Sequence, residues 1–176
     1  MPPEPPRFGL AAQAFTAAFP FHLVLNRELE VVQSGPVIQR LCPGLLAGGP
    51  FRMHFQLRRP AVQPTWDALT NQTQSLFLLE GNRPGLLLRG MMVELDDGEH
   101  LAFLGSPWLT SVGELEALGL SLHEFAVHDP IADLLFLIQT KDHGLDDAKA
   151  LSAELRKAKN TAEAKLREYT RDPETR

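Results

Sequence analysis

Two segments, Leu86–Leu95 and His100–Gly105, joined by Asp96-Asp97-Gly98-Glu99, limit the fold more than any other feature. An acidic, glycine-bearing linker between two apolar runs is hairpin chemistry, because glycine supplies the positive φ that a tight turn needs. Both strands are apolar on much of both faces. A surface hairpin alternates apolar and polar residues, so these strands belong in the middle of a sheet with chain packed over them. The hydrophobic share of 44% is enough for such a core.

The rest of the chain supplies the neighbours. Phe8–Phe19 is alanine-rich, with Phe8, Ala11, Phe15 and Ala18 or Phe19 at helical spacing, and Pro20 stops it. Phe21–Asn26 and Leu29–Ser34 read as a tight hairpin. Gly35 breaks the strand, and Pro36 opens a short helix that ends at Pro43-Gly44. Between Leu45 and Pro64 the Gly-Gly-Pro and Arg-Pro pairs signal loops, and Phe51–Leu57 fits a helical turn or a short strand. Thr65 caps a helix from Trp66, and Gln74–Glu80 is a strand. Val112–Leu118 is a helix stopped by Gly119. Asp129-Pro130 starts another whose first residues, Ile131–Ile138, are apolar almost all round and are expected to be buried.

Gly144 is expected to interrupt that helix. From Asp146 to about Arg171 the chain is rich in Ala, Lys, Glu and Leu. Ala148, Leu155, Ala162 and Tyr169 lie seven apart, with Ser152, Lys159 and Leu166 on the alternate seam, a weak coiled-coil pattern. The expected architecture is α+β: a PAS-like antiparallel five-stranded sheet with flanking helices and a C-terminal coiled-coil-type helix. The expected segments are a mobile lead-in and flanking helix at 1–18, a PAS-like domain at 19–143 and a stalk at 145–171.

Charge and cysteine content narrow the function. The net charge is −5, which argues against a general nucleic-acid binder. From Ala148 to Arg176 eight Lys or Arg face five Asp or Glu, while the remainder has nine against seventeen. A basic helix on an acidic body is a solvated helix. One cysteine, Cys42, permits no internal disulfide, which fits a reducing compartment. The opening MPPEPPRFGL has no signal-peptide core, and no apolar run approaches the roughly 20 residues of a bilayer span. The expectation is a cytoplasmic protein without membrane or nucleic-acid partners.

No catalytic set is visible. His22, His54, His100, His123, His128 and His143 form no i, i+4 pair, and Cys42 has no histidine at ligand spacing, so no cofactor or metal is expected. Asp96, Asp97 and Glu99 make a loop too short to wrap a cation and read as a solvated turn. Cys42 reads as a small buried hydrophobe. Ser106 and Ser111 lack a glycine-framed elbow or a base. Asp129 explains itself as a helix cap, while His128 has a second reading: a contact that couples sheet to stalk. The apolar stripe of Phe8 and Phe15 has two readings. It covers the domain's own core, or it packs across a two-fold axis.

The motifs together resemble the haem-NO-binding-associated family of soluble guanylate cyclases and bacterial signalling proteins. Phe19-Pro20-Phe21-His22 is similar to the family's opening, and Gly35, Ile38 and Leu41 to its first helix. Phe51, Phe55, Leu57, Arg59 and Pro60 resemble its Phe-Arg-Pro segment, and Leu88-Arg89-Gly90 with Met92 its Leu-Lys-Gly strand. Phe103-Leu104-Gly105-Ser106-Pro107 matches almost letter for letter. Gly119-Leu120, Leu122, His128-Asp129 and Asp133-Leu134 resemble its Gly-Leu to Asp-Leu run. The resemblance covers about Phe19 to Leu151. It departs at Met91, where the family tends to have Gln, at Ala132, where Arg is common, and in the short Asn82–Gly85 turn.

That resemblance implies a dimerising signal relay between a haem-NO-binding sensor domain and a C-terminal output domain, with no haem of its own. The dimer partner is a second copy or a related domain of the family. Arg171–Arg176 ends on charge, so a longer protein is expected, with a cyclase, diguanylate cyclase or histidine kinase as output. The relay residues are expected to be His128, Asp129 and Asp133. The dimer and stalk residues are expected to be Phe8, Phe15, Leu155, Ala162, Leu166 and Tyr169. The rival reading is a sensory PAS domain that binds its own small ligand in its core.

Overall fold

The computed structural model describes residues 9–46 and 50–171, the side chains of 139, 142–148 and 165–171 excepted. The elements follow the expected order. Helix α1 (Ala12–Ala18) leads into strands β1 (Leu23–Leu25) and β2 (Val31–Ser34) and helix α2 (Pro36–Leu41). Strand β3 (Phe55–Arg59), helix α3 (Trp66–Thr70) and strand β4 (Phe77–Gly81) come next. Strands β5 (Leu87–Glu94) and β6 (Leu101–Pro107) form the long hairpin, followed by helices α4 (Val112–Ala117) and α5 (Ile131–Arg171).

The sheet is antiparallel throughout and has six strands in the order β2-β1-β6-β5-β4-β3. The hairpin of β5 and β6 is central, as its two apolar faces require. The expected five strands become six because Phe55–Arg59, ambiguous between turn and strand in the sequence, forms an edge strand beside β4 and follows a one-turn 3₁₀ segment at Phe51–Met53. Five residues closed by Pro60 carry too little alternation to declare a strand. The β4 edge supplied the backbone partners that decided it.

Register explains the core. Leu23 lies opposite Phe103 and Phe103 opposite Met92, while Leu79 faces both Leu57 and Leu88. Leu23, Phe103, Met92, Leu79 and Leu88 are fully buried on that one face, together with Phe77 and Leu101. Local signals set the helix ends. The Thr65 hydroxyl accepts from the N–H of Ala68 at 3.3 Å, and Gly119 stops α4 at φ +62. A left-handed residue is nearly free for glycine and costly for other residues.

Helix α5 departs from two expectations. It runs unbroken through Gly144, since one glycine costs a helix only about 1 kcal/mol and forty neighbours outweigh it. Its first two turns are also less buried than an all-round apolar sequence suggests. Ile131 and Leu135 are buried, whereas Leu134, Phe136 and Leu137 are 45%, 68% and 64% exposed. Burial in these turns is confined to Ile131 and Leu135 among the described apolar side chains. The chain divides into two compact units between Asp133 and Leu134. Among the described residues no helix is long and apolar enough to cross a membrane.

Candidate functional site

Two places in the first unit bring polar or exposed apolar groups together in a way the core does not need. One lies where the end of α1, the start of β1 and the entry to α5 meet. The other is the outer face of the central hairpin.

At the first, His22 is 1% exposed. Its Nδ1 is 2.7 Å from the Phe19 carbonyl and its Nε2 is 3.0 Å from the Gln33 side-chain nitrogen on β2. A carbonyl only accepts and an amide nitrogen only donates, so this placement of the Gln33 amide matches a neutral ring with its proton on Nδ1. Burial lowers the pKa of His22 below its usual value, partly opposed by the bond to Phe19, so the ring stays neutral at neutral pH. The Phe15 ring meets His22 edge-on at 4.8 Å and the Phe19 ring at 5.5 Å. Phe19 in turn meets the His128 ring edge-on at 6.2 Å. Four rings therefore connect α1, the sheet and the residue that precedes the α5 cap.

Of the three expected relay residues, His128 and Asp129 belong to this junction. His128 is exposed, and its contact is with Phe19 rather than with a strand carbonyl. Asp129 accepts from the Ile131 N–H at 3.1 Å, as a helix cap should. Asp133 is exposed one turn further on. Asp129→Ala is expected to cost about 1 kcal/mol in chemical denaturation, with Asp129→Asn close to wild type. An equal loss in both variants would mean that the negative charge, and not the cap bond, matters.

Among the expected dimer residues, Phe15 is half-buried against its own chain. Leu155 is 63% exposed and Ala162 is exposed. Phe8 and the side chains of Leu166 and Tyr169 lie outside the described residues, as do the proline-rich lead-in and Asp172–Arg176. By sequence alone His22 is one of six histidines without a ligand-spaced partner. A lone polar residue between Phe21 and Leu23, inside an apolar run that opens a strand, was the available signal.

On the outer face of the hairpin, Leu78, Leu87, Val93 and Leu104 are half-buried and Met91 is 47% exposed. Trp108, 43% exposed, sits under the Arg89 guanidinium at 5.5 Å. The same face is closed at Val24 and Ala102, which are buried. The opening is thus confined to β4, β5 and the end of β6. A central strand pair with one half-open apolar face is a surface shaped for contact.

The remaining candidates are structural. Asp97 accepts from the N–H groups of Glu99 and His100 and from the His100 ring. The Glu99 bond, then the His100 side chain, hold its carboxyl below the usual range. Glu99 pairs with Arg27, which also donates to the Gly98 carbonyl and stacks on Trp66 at 5.2 Å. The acids therefore knit the hairpin turn to the β1–β2 turn and α3. Cys42 is buried. Burial raises its thiol pKa, opposed in part by Arg83, so it is a poor nucleophile. Among the described residues no group of three or more His, Cys, Asp or Glu side chains is placed to hold a metal ion.

The family described as "Heme NO binding associated" matches over residues 8–86 and 81–172. Guanylate cyclase soluble subunit beta-2 of Rattus norvegicus is 31% identical over 152 residues, 80% of this chain and 22% of that protein. The head-specific guanylate cyclase of Drosophila melanogaster is 27% identical over 138 residues, 72% and 20% of the two chains. Guanylate cyclase soluble subunit alpha-1 of Bos taurus is 26% identical over 183 residues, 97% and 26%. The chain thus spans about a quarter of the length of the curated relatives it matches.

Proposed function

The chain belongs to the haem-NO-binding-associated family, and on that premise we propose that it is a non-catalytic regulatory module, PAS-like in fold, which relays a signal. Its input is a haem-NO-binding sensor domain docked on the open outer face of β4–β6. Its output is a C-terminal domain reached through α5, with a cyclase, a diguanylate cyclase and a histidine kinase as the candidate classes. The relatives are guanylate cyclases by name, which favours the first of these. The protein works in the cytoplasm as a dimer with a second copy or a related domain. The PAS-like domain spans 19–143 and the stalk 145–171. Five of the strands, in the order β2-β1-β6-β5-β4, correspond to the expected sheet, and β3 is an addition at its edge.

The observation that carries the reading is the continuity of α5. One helix begins beside the four-ring junction and extends 41 residues. Ala148, Leu155 and Ala162 recur seven apart along that helix, with Ser152 and Lys159 on the alternate seam. Leu137, Leu151 and Leu155 are 64%, 59% and 63% exposed. Exposed leucines beside small seam residues are what a second helix covers, and the small residues leave room for more than one register. His128, Asp129 and Asp133 stand where junction meets helix and are the relay positions of this scheme.

Light scattering after size exclusion tests the assembly. The chain is expected to dimerise at micromolar concentration, and Leu151→Ser with Leu155→Ser to weaken the dimer at least tenfold. A strict monomer at high micromolar concentration sinks the dimer. A stoichiometric haem or flavin absorption band in the purified chain would replace the relay with the sensory alternative.

A further inference from the structure

We propose that His22 is a proton-sensitive clasp that holds α1 against the sheet and, through Phe19, keeps a ring contact with His128 at the entry to α5. The inference stands apart from the signalling reading, because everything it needs lies within residues 11–129.

Helix α1 cannot hold itself. It has seven residues, no side-chain cap at Ala11 and no buried residue. A helix of two turns is unstable alone in water. Two aromatic residues anchor it: the Phe15 ring lies edge-on to His22, and Phe19 holds His22 by its carbonyl while its ring meets Phe15 and His128. The imidazole binds the end of α1 and the sheet at once. Its Nδ1–H reaches the Phe19 carbonyl, while its Nε2 takes the Gln33 amide from β2.

The clasp works only in the neutral form. A proton on Nε2 would point at the Gln33 –NH2, placing donor against donor. Turning the Gln33 amide would restore that bond but would leave an imidazolium in a site 1% exposed. Among the described residues nothing nearby offers a compensating anion. Neither α1 (AQAFTAA), β1 (LVL) nor β2 (VVQS) carries a titratable side chain. On the α2 side Arg40 is engaged with Glu124. His123 and Glu124 reach the other side of α1, where Ser121 also holds Glu124. His128 and Asp129 lie beyond Phe19, and the Asp129 carboxylate is committed to the α5 cap.

The direction of the effect follows from burial. The unfolded chain binds the proton more readily than the folded one. The stability that neutral His22 carries is therefore complete above about pH 6.5 and is lost as the pH falls below that toward the folded value. Phe19 leaves its contact with His128 as the clasp opens, and α1 follows.

Imidazole nitrogen and amide NMR of the full chain tests this. At pH 7.5 His22 is expected as the neutral Nδ1–H tautomer. On acidification, exchange protection of the Phe15 and Phe19 amides, which donate to Ala11 and Phe15, should drop at least tenfold at the midpoint of the His22 ring. His22→Asn keeps a donor for the Phe19 carbonyl and cannot be protonated, so it should remove this step. Four results overturn the clasp. The His22 ring is found as the Nε2–H tautomer, α1 protection stays constant through its titration, the ring stays neutral until the whole chain unfolds, or the step persists in His22→Asn.

Discussion

Gly35→Ala is expected to be the most damaging small substitution in this chain. Gly35 sits at φ −64 and ψ 152, a backbone any residue adopts, so conformational freedom is not why it is glycine. Space is the reason. A Cβ there would stand 1.9 Å from the Pro20 carbonyl oxygen and 2.5 Å from its carbon. Both are backbone atoms held by neighbours: the Gly35 N–H donates to the His22 carbonyl at 2.9 Å, pinning the start of α2 to the start of β1. Neither segment can yield without dragging the His22 junction. The expected loss is at the upper end of overpacking, about 3 kcal/mol or more, and a fall in melting temperature of about 6–12 °C for a chain of this size. A thermal melt within a degree of wild type would show that the two segments part easily. In that case the junction is looser than its contacts suggest.

Gly105→Ala is expected to follow closely. Gly90 and Gly105 face each other across the central hairpin. A Cβ on Gly105 would lie 2.4 Å from the Arg89 carbonyl, 2.6 Å from the tip of the Phe103 ring and 2.8 Å from the Gly90 Cα. A Cβ on Gly90 would meet the Leu104 carbonyl at 2.3 Å. The pair lets β5 and β6 approach while the Phe103 ring lies over Gly105. The Phe103 ring can rotate away but the Arg89 carbonyl cannot, so about 2–3 kcal/mol is expected in chemical denaturation. The larger consequence is at the surface. Displacing β6 there moves Leu104 and Ser106, next to Met91 and Arg89 on the proposed docking face. Loss of sensor binding greater than the loss of stability would tie that face to the input. Equal binding by a less stable variant would separate the two.

These glycines show how the family pattern and the physics meet. Gly35, Gly90 and Gly105 all belong to motifs that resemble the haem-NO-binding-associated family, yet the letters alone cannot say whether a glycine serves a turn, a cap or a close approach. Gly119 declares itself by following an amphipathic stretch, and its positive φ follows. Gly35 between Ser34 and Pro36 looks like a strand breaker, and the carbonyl it must not touch lies fifteen residues earlier. His22 was hidden for the same reason: its partners, Phe19 and Gln33, come from opposite sides of it in the chain. Phe15 was legible as one position of an apolar stripe. That it meets a buried histidine edge-on and leads through Phe19 to His128 was not.

The sequence by itself determined what lies within about four residues of its cause. The Thr65 and Asp129 caps, the helix stop at Gly119, the Asp97-Gly98 turn and the central place of β5 and β6 follow from local hydrogen bonds and side-chain periodicity. Only the tertiary structure decided the sixth strand, the uninterrupted α5, the exposed side of its first turns and the neutral tautomer of His22. Each of these depends on what another segment brings to it. A strand needs a free edge, a helical glycine needs enough neighbours to outweigh it, and a histidine proton is left on Nδ1 when an amide from another strand takes Nε2.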